Sequence, residues 1–289
     1  MTKRTITYEI SNNTNVSISN MEGIKYLNKK IPDNSINLIL TDPPYIISKK
    51  TGMDDFYNKI KHNDENNIEY VKNDEEWNDY KLKNNIGDDI QKEKYLKYGS
   101  IYGKKYSIKT MYGDWDLNFT IENLDEFVRL YYNKLCDGGT LIIFFDIWKI
   151  TLLRTIMEKY NFKQIRLIEW IKTNAQPRNS RVNYLSNCKE YAVLGIKGSK
   201  PTFNSKYDNG LYYYPLQGGN IRTHPTQKSL KLFEDLIKKH SNENDIVLDT
   251  FLGSGTTLYA CINVDRNFKG CEISDEYFNI IENTMDKTY

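Results

Sequence analysis

Five residues, Thr41-Asp42-Pro43-Pro44-Tyr45, constrain this chain more than any other stretch. They follow an apolar run at positions 36–40, whose length and composition predict a buried parallel strand. Two consecutive prolines can neither continue a sheet ladder nor enter a helix interior, so the chain must leave the strand stiff and extended. A carboxylate, a free backbone carbonyl and an aromatic ring are thereby held at the carboxyl end of a strand. In an open α/β sheet that edge is where ligands bind. Taken alone, the five residues read equally as a proline turn with an acidic cap and a packed tyrosine.

A second signal lies near the other end. Residues 245–249 (DIVLD) predict another buried strand, followed by Thr250-Phe251-Leu252-Gly253-Ser254-Gly255-Thr256-Thr257 and a helix through Leu258, Cys261 and Ile262. Strand, glycine turn and helix let backbone N–H groups and a helix start approach a ligand closely. The turn has neither the third glycine of a dinucleotide fingerprint nor the G-K-[ST] of a P-loop. Glu272, at the end of the next predicted strand (268–273), is placed to hydrogen-bond ribose hydroxyls. A nucleoside without a pyrophosphate cradle suits S-adenosylmethionine better than NAD.

The rest of the chain bounds the alternatives. At 289 residues it can form one sizeable α/β domain with insertions, or two small domains. No run reaches the ~18 apolar residues of a membrane span, and no apolar core follows the basic start MTKR. No membrane association and a cytoplasmic location are therefore expected. Cys136, Cys188, Cys261 and Cys271 are scattered, form no C-x-x-C pair and lack neighbouring histidines, so neither zinc nor a disulfide framework is expected. None follows a proline. A net charge of +2 does not by itself announce a nucleic-acid partner.

Alternating signals predict a mostly parallel sheet with helices on its faces. β-prone pieces over 5–20 precede a helix over 22–31 that stops at Pro32. A helix through Leu124, Phe127, Val128, Tyr131 and Leu135 is expected to end at Gly138-Gly139, before a strand over 140–145. A helix at 148–160 and strands at 164–171 and 191–196 follow. Residues 49–110 are dense in Lys, Asp, Glu and Asn with isolated aromatics, and read as a long mobile insertion, either a solvated loop or a flap over substrate. Between Lys172 and Lys231 the charges are almost all positive, the only acids being Glu190 and Asp208. Asn174, Gln176, Asn179, Asn183, Tyr184 and Tyr212-Tyr213-Tyr214 are interleaved, a mixture able to contact phosphates, base edges and unpaired bases.

In this order, Asp42-Pro43-Pro44-Tyr45, His224-Pro225-Thr226-Gln227-Lys228-Ser229 and Asp249 to Thr257 resemble the signature set of β-class amino-group DNA methyltransferases, in which the catalytic motif precedes the cofactor loop. The similarity also takes in Gly113-Asp114-Trp115-Asp116, Gly138-Gly139-Thr140, Trp170 to Asn174, and the chain from Glu272 to its end. Thr250 and Ser229 stand where that family usually has proline, Glu22 stands near a position usually held by Asp, and the 49–110 insertion is longer than typical.

The resemblance implies a Rossmann-like, circularly permuted S-adenosylmethionine-dependent methyltransferase fold. It implies methyl transfer to the 6-amino group of a flipped adenine in double-stranded DNA carrying a short recognition sequence. The motif residues Asp42, Pro43, Pro44 and Tyr45 would be catalytic. Asp249, Phe251, Gly253, Gly255, Thr256, Thr257, Glu272 and Lys228 would hold S-adenosylmethionine, with no metal. Lys172, Asn174, Arg178, Arg181, Lys189 and Arg222 are the DNA-contact candidates. Expected boundaries are 1–48 with the catalytic motif, 49–111 the insertion, 112–172 the catalytic domain continued, 173–223 target recognition with a returning strand, and 224–289 the cofactor part. A homodimer and a companion restriction endonuclease fit the same resemblance. The missing proline–cysteine pair argues against methylation at a cytosine ring carbon, which needs a thiolate. Methylation of the cytosine 4-amino group or of an RNA amine, or an inactive nucleic-acid-binding regulator, stay open as alternatives.

Overall fold

The computed structural model describes residues 4–10, 14–45, 72–99, 101, 119–175, 188–216 and 228–289. The chain divides into two compact units, Met1–Tyr45 with Phe119–Tyr289, and Ile46–Asn118.

In the larger unit, nine strands among the described residues form one sheet: β1 (Thr5–Ile10), β2 (Thr14–Asn20), β3 (Ile36–Thr41), β4 (Leu135–Phe145), β5 (Lys163–Lys172), β6 (Lys189–Ile196), β7 (Leu211–Tyr214), β8 (Ile246–Asp249) and β9 (Asn267–Glu272). Their spatial order is β1-β2-β9-β8-β3-β4-β6-β5-β7. The central strands β2, β9, β8, β3 and β4 are mutually parallel, while β1, and β6 between β4 and β5, run antiparallel to their neighbours. Leu38, Ile39 and Leu40 are all fully buried, as a continuous apolar run requires of a strand covered on both faces.

One face carries Leu38, Leu40, Ile142 and Phe144, packed with Leu232, Phe233, Leu236 and Ile237 of α6 (Leu230–His240) and with residues of α7 (Thr256–Asn263) and α8 (Asp275–Thr288). Phe144 stacks on Phe233 with centroids 5.5 Å apart. Alternate residues Ile39, Leu141 and Ile143 must face the other way. Helix α4 (Ile121–Lys134) packs against β4 and against α1 (Gly23–Lys30), and α5 (Ile150–Lys159) packs against β6.

Two expectations are corrected here. Gly138 does not cap α4, which ends at Lys134 with Leu135 already extended. Gly138 lies inside β4 at φ +79°, where a Cβ would meet the Lys200 carbonyl oxygen at 2.6 Å, so close backbone approach explains the glycine. The tyrosine run 212–214 is not a free stacking platform but belongs to the edge strand β7, parallel to β5. The Tyr212 hydroxyl donates to Asp208 (2.6 Å) and that of Tyr214 to Asp235 (3.0 Å), leaving Tyr213 as the exposed ring.

The smaller unit, expected as a solvated loop or a flap, contains two helices and an apolar cluster of its own among its described residues. Helix α2 (Asp74–Asn84) opens with a capping box between Asn73 and Glu76, and α3 (Lys92–Tyr98) follows. Trp77, Tyr80 and Tyr95 form an aromatic cluster with Ile101 around it, and the Trp77 indole N–H donates to Asp89 at 2.7 Å.

Candidate active site

The sheet order creates the site. The chain passes from β3 to β4 on one side of the centre and from β8 to β9 on the other, so a crevice opens at the carboxyl ends of the adjacent strands β3 and β8. Thr41, the last residue of β3, and Asp249, the last of β8, meet there: the Thr41 hydroxyl donates to Asp249 at 2.7 Å. Asp249 also accepts from the Thr257 hydroxyl (2.6 Å) and the Phe251 N–H (3.0 Å). Burial pushes its carboxyl up to about 6 against these three donors. Asp249 is thus spent inside the protein, tying the two motif strands and the first turn of α7 together.

The glycine turn follows. Gly253 and Gly255 adopt φ of +52° and +89°, which side-chain-bearing residues rarely do. A Cβ on Gly253 would meet nothing within 4 Å, so space lies open over the turn. Thr256 begins α7 directly after Gly255. The Gly253 N–H donates to Glu272 (2.7 Å) and the Ser274 N–H to its other oxygen (2.8 Å), which sets the carboxylate at the end of β9 beside the turn. Burial pushes the Glu272 carboxyl up to about 7. The half-buried Phe251 ring rests on Phe119 and Phe127, at centroid distances of 5.6 and 4.8 Å. Glu22, two residues past the end of β2, caps α1 by accepting from the N–H groups of Ile24 and Lys25. Behind the turn, Tyr131 and Thr250 share a hydroxyl–hydroxyl bond of 2.5 Å, so a threonine at this position is held by a side chain of α4.

Asp42 leaves the crevice on the β4 side. Pro43 is buried and Pro44 half-buried, and the Tyr45 ring meets Phe145 edge-on at 5.7 Å. The Tyr45 hydroxyl donates to Asp42 Oδ1 at 3.2 Å, and the Lys228 ammonium pairs with Asp42 Oδ2 at 2.9 Å. Lys228, expected at the cofactor, is therefore placed beside the Asp-Pro-Pro-Tyr segment, two residues before the start of α6. Its ammonium also pairs with Glu190 (2.5 Å), which in turn pairs with Lys172 (2.7 Å). Burial pushes the Asp42 carboxyl up, Lys228 opposes this and Glu190 adds to it, for a net rise. Burial alone would lower the Lys228 ammonium, but Asp42, Tyr45 and Glu190 outweigh it and hold the group well above its ordinary range.

Glu190 and Lys172 arrive by strand direction. Because β6 runs antiparallel to β4 and β5, its start lies beside the ends of both, pairing Tyr191 with Phe145 and Glu190 with Trp170. Among the DNA-contact candidates, Lys172 is thus part of the ion-pair chain, Lys189 pairs with Glu169 (2.9 Å), and Asn174 makes two bonds to the Leu216 backbone. Arg178, Arg181, Arg222, His224 to Gln227 and Gly113 to Asp116 lie outside the described residues. No site role was read from the sequence for Glu190 or for Thr41, although Thr41 opens the proline motif and Glu190 is one of two acids in a basic stretch. No cluster of three or more His, Cys, Asp or Glu able to hold a metal occurs among the described residues.

An α/β sheet whose central crevice is flanked by an Asp-Pro-Pro-Tyr segment and a glycine turn defines a methyltransferase. Residues 36–283 match the DNA methylase family N6_N4_Mtase, and the chain belongs to that family. It is similar to the type II methyltransferase M2.MboI of Moraxella bovis, with 29% identity over 266 residues that cover 86% of this chain and 80% of that protein. The type II methyltransferase M.HpaI of Haemophilus parainfluenzae is 26% identical over 271 residues, covering 90% and 71% of the two chains. Among solved structures, M1.HpyAVI superposes with a TM-score of 0.56 at 26% identity, over 94% of this chain and 98% of that one. PvuII DNA methyltransferase (cytosine-N4-specific) gives 0.59 at 16% identity, over 91% and 83%, and shares the fold.

Proposed function

We propose that this DNA methylase transfers a methyl group from S-adenosylmethionine to the 6-amino group of adenine within a short sequence of double-stranded DNA, as the modification enzyme of a restriction-modification system. The observation that carries the reading is Asp42, held at the end of β3 by two prolines, across the crevice from the glycine turn that follows β8.

The turn fits a nucleoside carrying no phosphate. Glu272 sets a carboxylate beside the turn for a ribose hydroxyl, Phe251 offers an apolar ring, and the open space over Gly253 lets a ligand approach the backbone. When bound there, S-adenosylmethionine supplies a methyl group on a positively charged sulfur, so the protein needs neither a metal nor a covalent intermediate. What the chain must supply is a better nucleophile. An exocyclic amine shares its lone pair with its ring. Hydrogen bonds from its two N–H groups to the Asp42 carboxylate and the Pro43 carbonyl favour a pyramidal nitrogen with that pair exposed. As the nitrogen–carbon bond forms, the methyl–sulfur bond breaks and its electrons stay on sulfur; the surplus amine proton leaves through Asp42. Stacking on Tyr45, worth ~1–3 kcal/mol, offsets part of the cost of flipping the base.

Arg178, Arg181 and Arg222 are assigned as phosphate contacts, joined by Lys189 and Asn174 where DNA displaces their present partners. A homodimer, a companion restriction endonuclease and a cytoplasmic location belong to the same proposal; no helix among the described residues is long and apolar enough to cross a membrane. Transfer of labelled methyl to unmethylated DNA, followed by nucleoside analysis, tests it. N6-methyladenine is expected; label on the cytosine 4-amino group, or on RNA alone, would overturn it.

A further inference from the structure

Four charged side chains around the catalytic motif alternate in sign: Asp42, Lys228, Glu190 and Lys172, linked at 2.9, 2.5 and 2.7 Å. Lys228 is only 8% exposed, so its ammonium must stay paired, and it has two carboxylates to share. One of them has work elsewhere. Lys228 holds Oδ2 of Asp42 and the Tyr45 hydroxyl holds Oδ1, yet the target amine needs an acceptor on that same carboxylate. A full ammonium bound to Asp42 alone would outcompete a neutral amine, because charge-assisted hydrogen bonds are roughly twice as strong. A second carboxylate on the ammonium relieves that competition.

We propose that Glu190 is a positioning residue of the transfer reaction: by sharing the Lys228 ammonium it loosens the hold of Lys228 on Asp42 and leaves Asp42 able to accept the target amine. Lys172 secures the arrangement by keeping Glu190 ionised. Glu190 lies below the usual carboxylate range because Lys228 and Lys172 together outweigh the upward push of its burial. The groups facing Asp42 are Lys228, Glu190 and Tyr45, with Asp249 across the crevice. The inference rests on Asp42 being the amine acceptor.

Steady-state methylation of DNA by the parent enzyme, Glu190→Gln and Lys228→Met across a pH series tests it. The acid limb of kcat/KM reports Asp42, which must be ionised to accept an N–H. In Glu190→Gln, Lys228 turns wholly to Asp42, so kcat/KM for DNA falls by about tenfold or more while the limb moves to lower pH. Affinity for S-adenosylmethionine stays within about twofold, since no donor contact changes. In Lys228→Met, Asp42 loses its cation and the limb moves to higher pH. Lys172→Met leaves Glu190 to Lys228 alone and also moves the limb upward, which reads the sign even if the Gln variant does not fold. Unchanged kcat/KM in Glu190→Gln, or lower activity with no movement of the limb in any variant, overturns the proposal. A parent enzyme that methylates no amine in DNA overturns the function on which it rests, and this inference with it.

Discussion

His240 closes α6 with its ring 6% exposed, packed on Phe203 at 5.5 Å, and its Nδ1 has no partner among the described residues. Burial holds it neutral, down to about 4 from 6.5, with Asp208 and Asp235 opposing and Lys239 assisting. A depressed folded value means the stability it contributes is full above pH 6.5 and is lost as pH falls through about 4. Asp249 and Glu272, raised to about 6 and about 7, act in the opposite sense and lose their contribution as pH rises. The histidine and the two carboxyls oppose one another in a single melting curve and are separated by a comparison of variants. His240→Leu should gain on the parent as pH drops from 6.5 to 4, by on the order of 3 kcal/mol at the acid end, measured by denaturant titration; a pH-independent difference would refute the assignment. Tyr131→Phe leaves the buried Thr250 hydroxyl without its partner, and should cost about 1–3 kcal/mol in the same measurement; no loss would show the bond to be idle. Asp42 and the turn glycines were legible in the sequence as candidate site residues because short motifs fix their chemistry locally. The place of Lys228 beside Asp42 was not, since a lysine two residues before a helix carries no sign of which strand end it will face.

At the scale of elements, the glycine turn and the reversal of β6 do most to shape the site. Gly255, the residue just before α7, sits at φ +89°, and a Cβ there would meet Tyr259 Cε2 at 2.9 Å. Gly255→Ala therefore combines a left-handed backbone cost of about 1–2 kcal/mol with a ring contact that must give. We expect S-adenosylmethionine affinity, followed by calorimetric titration, to fall about tenfold; unchanged affinity would mean the turn is not the donor site. β6 shows where sequence reading stops. Strands are legible at 164–171 and 191–196, but nothing local says that β6 inserts between β4 and β5 and points backwards. Only that pairing brings Glu190 and Lys172 together at the edge where Asp42 emerges. β7 was hidden for another reason: three adjacent tyrosines have the composition of a base-stacking surface as well as that of an edge strand.

The whole molecule joins a methyltransferase sheet, legible through its ordered motifs, to a second unit whose composition concealed its core. Trp77 is 1% exposed, yet it and Tyr95 sit on separate short helices among Lys, Asp, Glu and Asn, too sparse to register as a periodic pattern. Trp77→Ala should raise amide hydrogen exchange throughout α2 and α3 while leaving the strands of the larger unit protected; exchange unchanged in both helices would mean the cluster does not hold them. For the larger unit the proposed mechanism converges on Asp42, while the glycine turn is held by bonds of its own, to Asp249 from Thr257 and to Glu272 from Gly253. The most direct test therefore separates donor binding from transfer in one variant, Asp42→Ala. We predict that it binds S-adenosylmethionine within about threefold of the parent yet forms N6-methyladenine at least ~10³-fold more slowly. Methylation at the parent rate, with the donor bound, would contradict Asp42 as the acceptor of the target amine.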